Sequence, residues 1–240
     1  MYQETIEIDI NGEKISFALL DLPTSFLQWQ SEARMQMFKM IGKARATKVT
    51  MQPAHLPVLA TWSQETLASD FPVNLSTRGM GLLPRRDKLE QFVALFQQAK
   101  VDAENLPVQE TLARRIEVME SFYGEIENFD NQLLGGLEIF EGVTSRNLEI
   151  NPRAALLYTG EAPKYPSYQF NGIITRVQPG DPCYEFLLAA RELFAMDAFH
   201  IHQTRYPHGY LFHVVEIKDK TPFPRHPPEN ILKMREHDEA

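Results

Sequence analysis

The sequence predicts an α+β protein with a mainly antiparallel sheet, in which two β-β-α-β-β units flank a helical middle segment. Three observations predict this class. Short stretches near both ends of the chain alternate apolar and polar residues, as half-buried strands do, whereas the middle shows apolar residues at helical spacing. Each end also contains one amphipathic helical stretch between its strands. Without its first strand, each unit has the order β-α-β-β, which is part of a ferredoxin-like unit.

A chain of 240 residues is long enough to form one large domain with a sizeable core. We expect this single domain to span residues 1–220, with an N-terminal unit at 1–62, a helical middle at 63–140 and a C-terminal unit at 150–220. Residues 221–240 are predicted to be a Pro-rich arm and a short charged helix, because proline lacks the amide donor that a paired strand needs.

The N-terminal unit is predicted from its turn and cap residues. Asn11-Gly12 separates two alternating stretches and is typical of a type I′ hairpin turn, since both positions take positive φ there. Thr24 or Ser25 suits the N-cap of the next helix, and Gly42 suits its end. The predicted elements are strands at 2–10 and 13–21, a helix at 24–41, and strands at 46–51 and 57–62.

Two helices are predicted in the middle segment. Residues 87–90 have the spacing of a capping box and precede apolar residues on one helical face. Pro107 suits the first position of a second helix. The apolar pattern of this second helix extends past Gly124 to Leu134, and the Gly-Gly pair that follows is expected to end it.

The C-terminal unit repeats the order of the N-terminal one. Its predicted elements are strands at 154–159 and 168–177, a helix at 182–195 with Asp181 as N-cap, and strands at 199–204 and 210–218. Ala33-Arg34 in the first helix corresponds to Ala190-Arg191 in the second, and a phenylalanine and a methionine follow each pair. Internal duplication is therefore a hypothesis.

Charge and cysteine content argue against several classes of protein. With 24 basic and 32 acidic residues, the net charge is −8, which disfavours nucleic acid or an anionic membrane as the main partner. The first residues lack the basic and apolar regions of a signal peptide, so we expect a soluble cytoplasmic protein. Cys183 is the one cysteine, which excludes an intramolecular disulfide and a multi-cysteine metal site within the chain.

Histidines are concentrated near the C-terminus, where six of the seven lie after residue 199. His200 and His202 leave the same face of a predicted strand, and His213 lies on the next. Of two loop lengths, one sets His213 opposite His200 and the other sends it to the far face. In the first register the trio resembles a zinc site with an open position for water. A transition metal such as zinc is then the expected cofactor, and hydrolase or lyase chemistry the expected activity.

Tyrosines accompany these histidines and suggest a binding surface instead. The expected binding residues are Tyr168, Tyr206, His208 and Tyr210. Because the motifs of the common enzyme classes are absent, the first expectation is a binding or accessory protein whose His/Tyr-rich C-terminal surface contacts a small ligand, a partner chain or a second copy in a homo-dimer. The three-histidine metalloenzyme is the alternative.

Cys183 supports a third hypothesis, a thiol-dependent enzyme. It lies in the first turn of a predicted helix, where the backbone amides and the helix dipole lower the pKa of a thiol. Its neighbours Tyr184 and Phe186 argue the other way, since apolar burial raises that pKa. The sequence leaves these three functions open.

Overall fold

The computed structural model describes residues 4–10, 12–43, 53–62, 71–162, 164–194, 203 and 205–222. The strands within these ranges are β1 (Thr5–Ile10), β2 (Glu13–Ala18), β3 (Val58–Trp62), β4 (Val73–Thr77), β5 (Gly81–Pro84), β6 (Phe129–Leu137), β7 (Arg153–Thr159), β8 (Ser167–Val177) and β9 (Gly209–Asp219). The helices are α1 (Thr24–Lys43), α2 (Leu89–Ala103), α3 (Val108–Tyr123), α4 (Val143–Ile150) and α5 (Pro182–Glu192). None of these described helices combines the length and apolar character needed to cross a membrane.

Seven of the described strands form one sheet in the order β4-β3-β7-β8-β9-β6-β5, while β1 and β2 pair with each other as a separate hairpin. Every pairing in the large sheet is antiparallel. Gly12 in the β1–β2 turn has φ of 84°, as a tight hairpin turn requires. The predicted class, α+β with a mainly antiparallel sheet, is confirmed.

The large sheet curls back towards its own first strand. β4 and β5 stand at opposite ends of the strand order, yet only residues 78–80 join them. In a flat sheet these strands would lie about 29 Å apart, at about 4.8 Å per strand. Four Cα-to-Cα steps cover at most about 14 Å. The hydroxyl of Tyr158 on β7 donates to the carbonyl oxygen of Met80 at 3.2 Å, a contact that joins a central strand to this link.

Aromatic side chains fill the inner face of the curled sheet. Tyr158, Phe170 and Phe212 are fully buried there, on three adjacent strands. Phe26 of α1 packs its ring edge-on against Tyr158 and Phe170, with centroids 5.0 and 4.8 Å away. Helix α1 therefore covers this part of the inner face. Asn147 of α4 donates to the hydroxyl of Thr61 on β3 at 3.1 Å, so α4 covers another part.

Helices α2, α3 and α5 pack together near β5 and β6. Phe122 of α3 contacts the rings of Phe92 and Phe186, which belong to α2 and α5, at 5.0 and 5.1 Å between centroids. Phe129 at the start of β6 joins the same group at 5.2 Å from Phe122. This aromatic contact fixes the three helices relative to the β5–β6 end of the sheet.

The middle segment at 63–140 is not purely helical, because it contributes β4, β5 and β6 to the sheet. The prediction that the second helix continues to Leu134 is wrong, since α3 ends at Tyr123. Asn128 donates its side-chain amide to the carbonyl oxygens of Ser121 and Phe122, both at 3.0 Å. These bonds satisfy carbonyls that a continuing helix would have used, and they end α3.

The two terminal units do not occupy equivalent places in the fold. β1 and β2 form a separate hairpin, whereas β7 and β8 lie within the large sheet. The matching order of elements therefore does not extend to matching positions. The predicted strands at 46–51 and 199–204, and most of the Pro-rich arm with its charged helix at 221–240, lie outside the described residues.

Candidate ligand-binding site

A cavity of about 340 Å³ lies among α1, α3, α5, the start of β5 and the end of β6. This volume is within the usual range for small-molecule sites. Apolar and aromatic side chains form most of its wall, among them Met37, Phe38, Met119, Tyr123, Phe186 and Phe194. The wall thus combines residues from both ends of the chain.

Four glycines give one side of the cavity a bare backbone, namely Gly79, Gly81, Gly135 and Gly136. A Cβ at Gly136 would lie 2.2 Å from the carbonyl oxygen of Gly79 and 2.7 Å from the sulfur of Met80. Only glycine allows these two backbone segments to approach so closely. This contact brings the link between β4 and β5 against β6.

The charged groups that line the cavity are basic. Arg34 projects from α1 and Arg191 from α5, and no aspartate or glutamate is among the described lining residues. His55 also lines the cavity, but burial, followed by the nearby charge of Arg34, lowers its pKa to about 2. His55 is therefore neutral at physiological pH, and the charged side chains of the described lining are those of Arg34 and Arg191.

Arg34 is positioned by an aromatic ring and a glycine backbone, with no carboxylate partner among the described residues. Its guanidinium carbon lies 5.4 Å from the centre of the Tyr123 ring, a cation–π contact. One of its terminal nitrogens would lie 3.3 Å from a Cβ placed at Gly81. Among the described residues, no acidic side chain forms an ion pair with Arg34.

Arg191 is positioned by Tyr206, one of the residues that the sequence analysis expected to bind a ligand. Its Nε donates to the hydroxyl of Tyr206 at 2.7 Å, and its guanidinium carbon lies 5.1 Å from the centre of the same ring. Tyr206 therefore orients a cationic side chain of the cavity. Its own carbonyl oxygen accepts from the Tyr184 hydroxyl at 2.9 Å, which ties this loop to α5.

Sequence reasoning did not identify Arg34 and Arg191 as binding residues. The signal that marks them is the Ala-Arg pair common to the two helices. The phenylalanines that follow these pairs, Phe38 and Phe194, also meet in the cavity wall, with near-parallel rings 6.0 Å apart. Residues distant in sequence thus converge on one cavity.

The four expected binding residues are buried and do not form the exposed surface that the sequence suggested. Their exposed fractions are 5% for Tyr168, 6% for Tyr206, 4% for His208 and 1% for Tyr210. None of them is among the described residues that line the cavity. Tyr168 donates to the hydroxyl of Ser25 at 3.0 Å and so holds the start of α1. Their direct participation in binding stays a prediction.

Tyr210 belongs to a buried polar cluster next to the cavity. Its hydroxyl donates to Oε2 of Glu138 at 2.7 Å, and Oε1 of the same carboxylate accepts from Arg78 at 2.6 Å. Burial and this bond to Glu138 raise the pKa of Tyr210. The ring of His208 packs edge-on against Tyr210 at 4.9 Å, and burial lowers its pKa. The cluster anchors Arg78, the neighbour of Gly79 in the cavity wall.

The three-histidine metal site loses the strand pairing on which it depended. His213 of β9 is paired with Leu133 of β6 on one side and with Ile173 of β8 on the other. Because a strand has only two edges, the predicted hairpin with residues 199–204 is wrong at His213. No group of three metal-ligating side chains occurs within the described residues, and His200 and His202 lie outside them, so a metal at the three histidines stays a prediction.

His213 instead takes part in a local contact on the sheet. Its Nε2 lies 2.9 Å from the hydroxyl of Thr175 on β8. Burial lowers its pKa to about 4, so the ring is neutral at physiological pH. The imidazole is half-buried, and its contact with Thr175 joins β9 to β8.

The environment of Cys183 opposes a reactive thiolate. Burial, followed by the charges of Asp181 and Asp130, raises the pKa of this thiol to about 11. Asp181 caps α5 by accepting from the backbone N–H of Cys183 at 2.8 Å, which places a negative charge at the end of the helix where the dipole would favour a thiolate. The thiol is therefore protonated at neutral pH, and of the two opposing effects noted from the sequence it is burial that prevails.

Comparisons with known proteins give only distant likenesses. No protein-family model matches the sequence, and the comparison with curated proteins finds no match. The HupZ structure from Group A Streptococcus is 12% identical, with 72% of this chain and 90% of that chain covered and a TM-score of 0.38. An FMN-binding protein from Syntrophomonas wolfei subsp. wolfei is 8% identical over 83% and 95% of the chains, with a TM-score of 0.39.

A structure named F420 reductase is 11% identical, with 69% of this chain and 90% of that chain covered and a TM-score of 0.38. Identities and TM-scores this low do not place the chain in any of the families that these names represent. The cavity and its lining are therefore interpreted from their own chemistry.

Proposed function

We propose that the protein binds a small organic molecule with an apolar, flat body in the cavity among α1, α3 and α5. The observation that carries this proposal is the composition of the cavity wall. The wall contains aromatic rings, such as those of Phe38 and Phe194, together with the bare backbone of Gly79 and Gly81. Flat ligands stack favourably on aromatic rings and can approach a glycine backbone closely.

Interactions behind the wall support a preformed site. Tyr168 holds the start of α1, Tyr206 orients Arg191, and the Tyr210–Glu138 contact anchors the link that carries Gly79. The Tyr210–Glu138 bond is buried and the other two are partly buried, and hydrogen bonds shielded from water fix side-chain positions better than exposed ones do. A cavity whose walls are held in this way loses little conformational entropy when a ligand binds.

A flavin ring system has a flat body of the proposed kind, and FMN is named for the Syntrophomonas wolfei protein. FMN is therefore a suitable competitor in a binding assay. A partner chain or a second copy of the protein, the other binding functions expected from the sequence, stay predictions.

The test is a fluorescence titration with N-phenyl-1-naphthylamine, an uncharged dye that emits more strongly in apolar surroundings. Ala190 lines the cavity, so Ala190→Phe places a ring in the space that the dye needs. The matched control is Ala94→Phe, since Ala94 is exposed on α2 and does not line the cavity.

We expect saturable binding to the wild type and to Ala94→Phe, and an affinity loss of about tenfold or more, about 1.4 kcal/mol, in Ala190→Phe. Displacement of the dye by FMN would place a flavin among the ligands. If the wild type does not bind the dye, or if both variants bind it equally, the cavity is not the ligand site.

A further inference from the structure

We propose that the ligand of this cavity carries an oxyanion, a phosphate or a carboxylate, and that Arg34 binds it. This inference rests on the proposed function and specifies the chemical class of the ligand. It depends on the charge of the cavity, the contacts of Arg34 and the burial around it.

The charge inside the cavity is opposite in sign to that of the protein. The chain has a net charge of −8, yet the described lining holds Arg34 and Arg191 and no acidic side chain. Arg34 faces this apolar cavity with no carboxylate among the described lining residues, and its charge creates a local positive potential. Such a potential favours an anionic ligand.

The contacts of Arg34 position its guanidinium without neutralising it. The Tyr123 ring supplies a cation–π contact at 5.4 Å, and Gly81 leaves room for the guanidinium against the backbone. Neither contact provides a carboxylate, and no described acidic residue forms an ion pair with Arg34. A guanidinium has five N–H donors in a planar fork that matches the oxygens of a carboxylate or phosphate.

Two other arginines form ion pairs with carboxylates, whereas no described carboxylate pairs with Arg34. Arg78 donates to Glu138 and Arg176 donates to Glu149, so these half-buried cations have carboxylates of the chain beside them. Arg34 is also half-buried, beside apolar walls where an unpaired charge is costly. An oxyanion on the ligand would supply the missing counter-charge.

Arg191 has a different role in this assignment. Its Nε is engaged with the Tyr206 hydroxyl, so its position is set by the protein. Arg191 lines the cavity as a second guanidinium, and the contact with the oxyanion is assigned to Arg34 alone.

The test compares two dyes with the same aromatic body, 1-anilinonaphthalene-8-sulfonate, which carries an oxyanion, and the uncharged N-phenyl-1-naphthylamine. Arg34→Gln removes the charge and the fork. The matched control is Arg153→Gln, because Arg153 also lies over an aromatic ring, 5.9 Å from the centre of Phe17, but does not line this cavity.

We expect Arg34→Gln to weaken the sulfonate dye about tenfold or more and to leave the uncharged dye within about twofold. Arg153→Gln should change neither dye by more than about twofold. If Arg34→Gln binds both dyes as the wild type does, the oxyanion assignment is wrong while the cavity remains the ligand site. If the wild type binds neither dye, the proposed function itself fails.

A measurement on the wild type tests the oxyanion assignment independently of whether the Arg34→Gln variant folds. Added NaCl should weaken the sulfonate dye and not the uncharged dye, because salt screens only the charged contact. Equal salt responses of the two dyes would overturn the assignment without any substitution. Competition with phenyl phosphate and with benzoate then distinguishes the two oxyanions. Stronger displacement of the sulfonate dye by phenyl phosphate indicates a phosphate ligand, and stronger displacement by benzoate indicates a carboxylate ligand.

Discussion

Replacement of Glu138 by leucine tests whether the buried carboxylate holds the closing link of the sheet. Glu138 follows β6 and its side chain is fully buried. Oε1 accepts from Nη1 of Arg78 at 2.6 Å and from the backbone N–H groups of Ile139 and Phe140 at 3.0 and 3.1 Å. Oε2 accepts from Tyr210 at 2.7 Å. Leucine preserves most of the volume and removes every acceptor.

The expected cost follows from the four donors that lose their partner. Arg78 is only 17% exposed at its side chain, so its charge cannot be fully rehydrated. Removing one partner of a buried ion pair costs about 3–5 kcal/mol. Tyr210→Phe removes one hydrogen bond to the same carboxylate and should cost about 1.5–3 kcal/mol. Glu138→Leu should therefore be the more destabilising of the two.

Urea unfolding followed by circular dichroism measures both free energies of unfolding under identical conditions. Comparable m-values for the wild type and the two variants would show that the exposed area on unfolding is unchanged. A Glu138→Leu protein as stable as Tyr210→Phe, or more stable, would refute the view that the carboxylate anchors Arg78 and the link between β4 and β5.

Three further predictions concern the cavity wall, the cysteine and the sheet histidine. Gly136→Ala should destabilise the protein by about 1–3 kcal/mol or more in urea unfolding, because its Cβ would meet the Gly79 carbonyl at 2.2 Å. Gly79→Ala, where a Cβ meets nothing within 4 Å, is the control, and equal losses would contradict the close-approach argument. Cys183 should react very slowly with iodoacetamide at pH 7, and the rate should rise about tenfold per pH unit up to the thiol's pKa of about 11. Fast alkylation of the native protein at pH 7 would show that the pKa of this thiol is not raised. His213 has a folded-state pKa of about 4, below its unfolded value, so the unfolded state binds more protons as the pH falls below about 6.5. The stability that neutral His213 contributes is therefore present above that pH and is lost towards pH 4, at up to about 1.4 kcal/mol per pH unit. His213→Gln should reduce this loss of the free energy of unfolding between pH 6.5 and pH 4. An unchanged dependence of that free energy on pH would contradict the lowered pKa of His213.

Patterns among neighbouring residues were sufficient to predict where several strands and helices begin. The predicted strands at 154–159 and 168–177 begin within one residue of the observed β7 and β8, and the Asp181 cap correctly marked the start of α5. Local signals failed in the middle segment, where an apolar run containing Leu134 was assigned to a helix and belongs to β6. A short apolar run fits a buried strand as well as a helix, and only its partners decide between them.

The sequence by itself determined the α+β class, the first hairpin, most helix starts and the absence of an intramolecular disulfide, because each depends on composition or on residues a few positions apart. The tertiary structure alone decided which strands flank β9, and thereby that His213 is paired on both sides. It also decided that Arg34 and Arg191 line one cavity. Strand order and cavity lining depend on contacts between residues far apart in the chain, and the free energy of those contacts is set by the packing of the whole fold rather than by any local pattern.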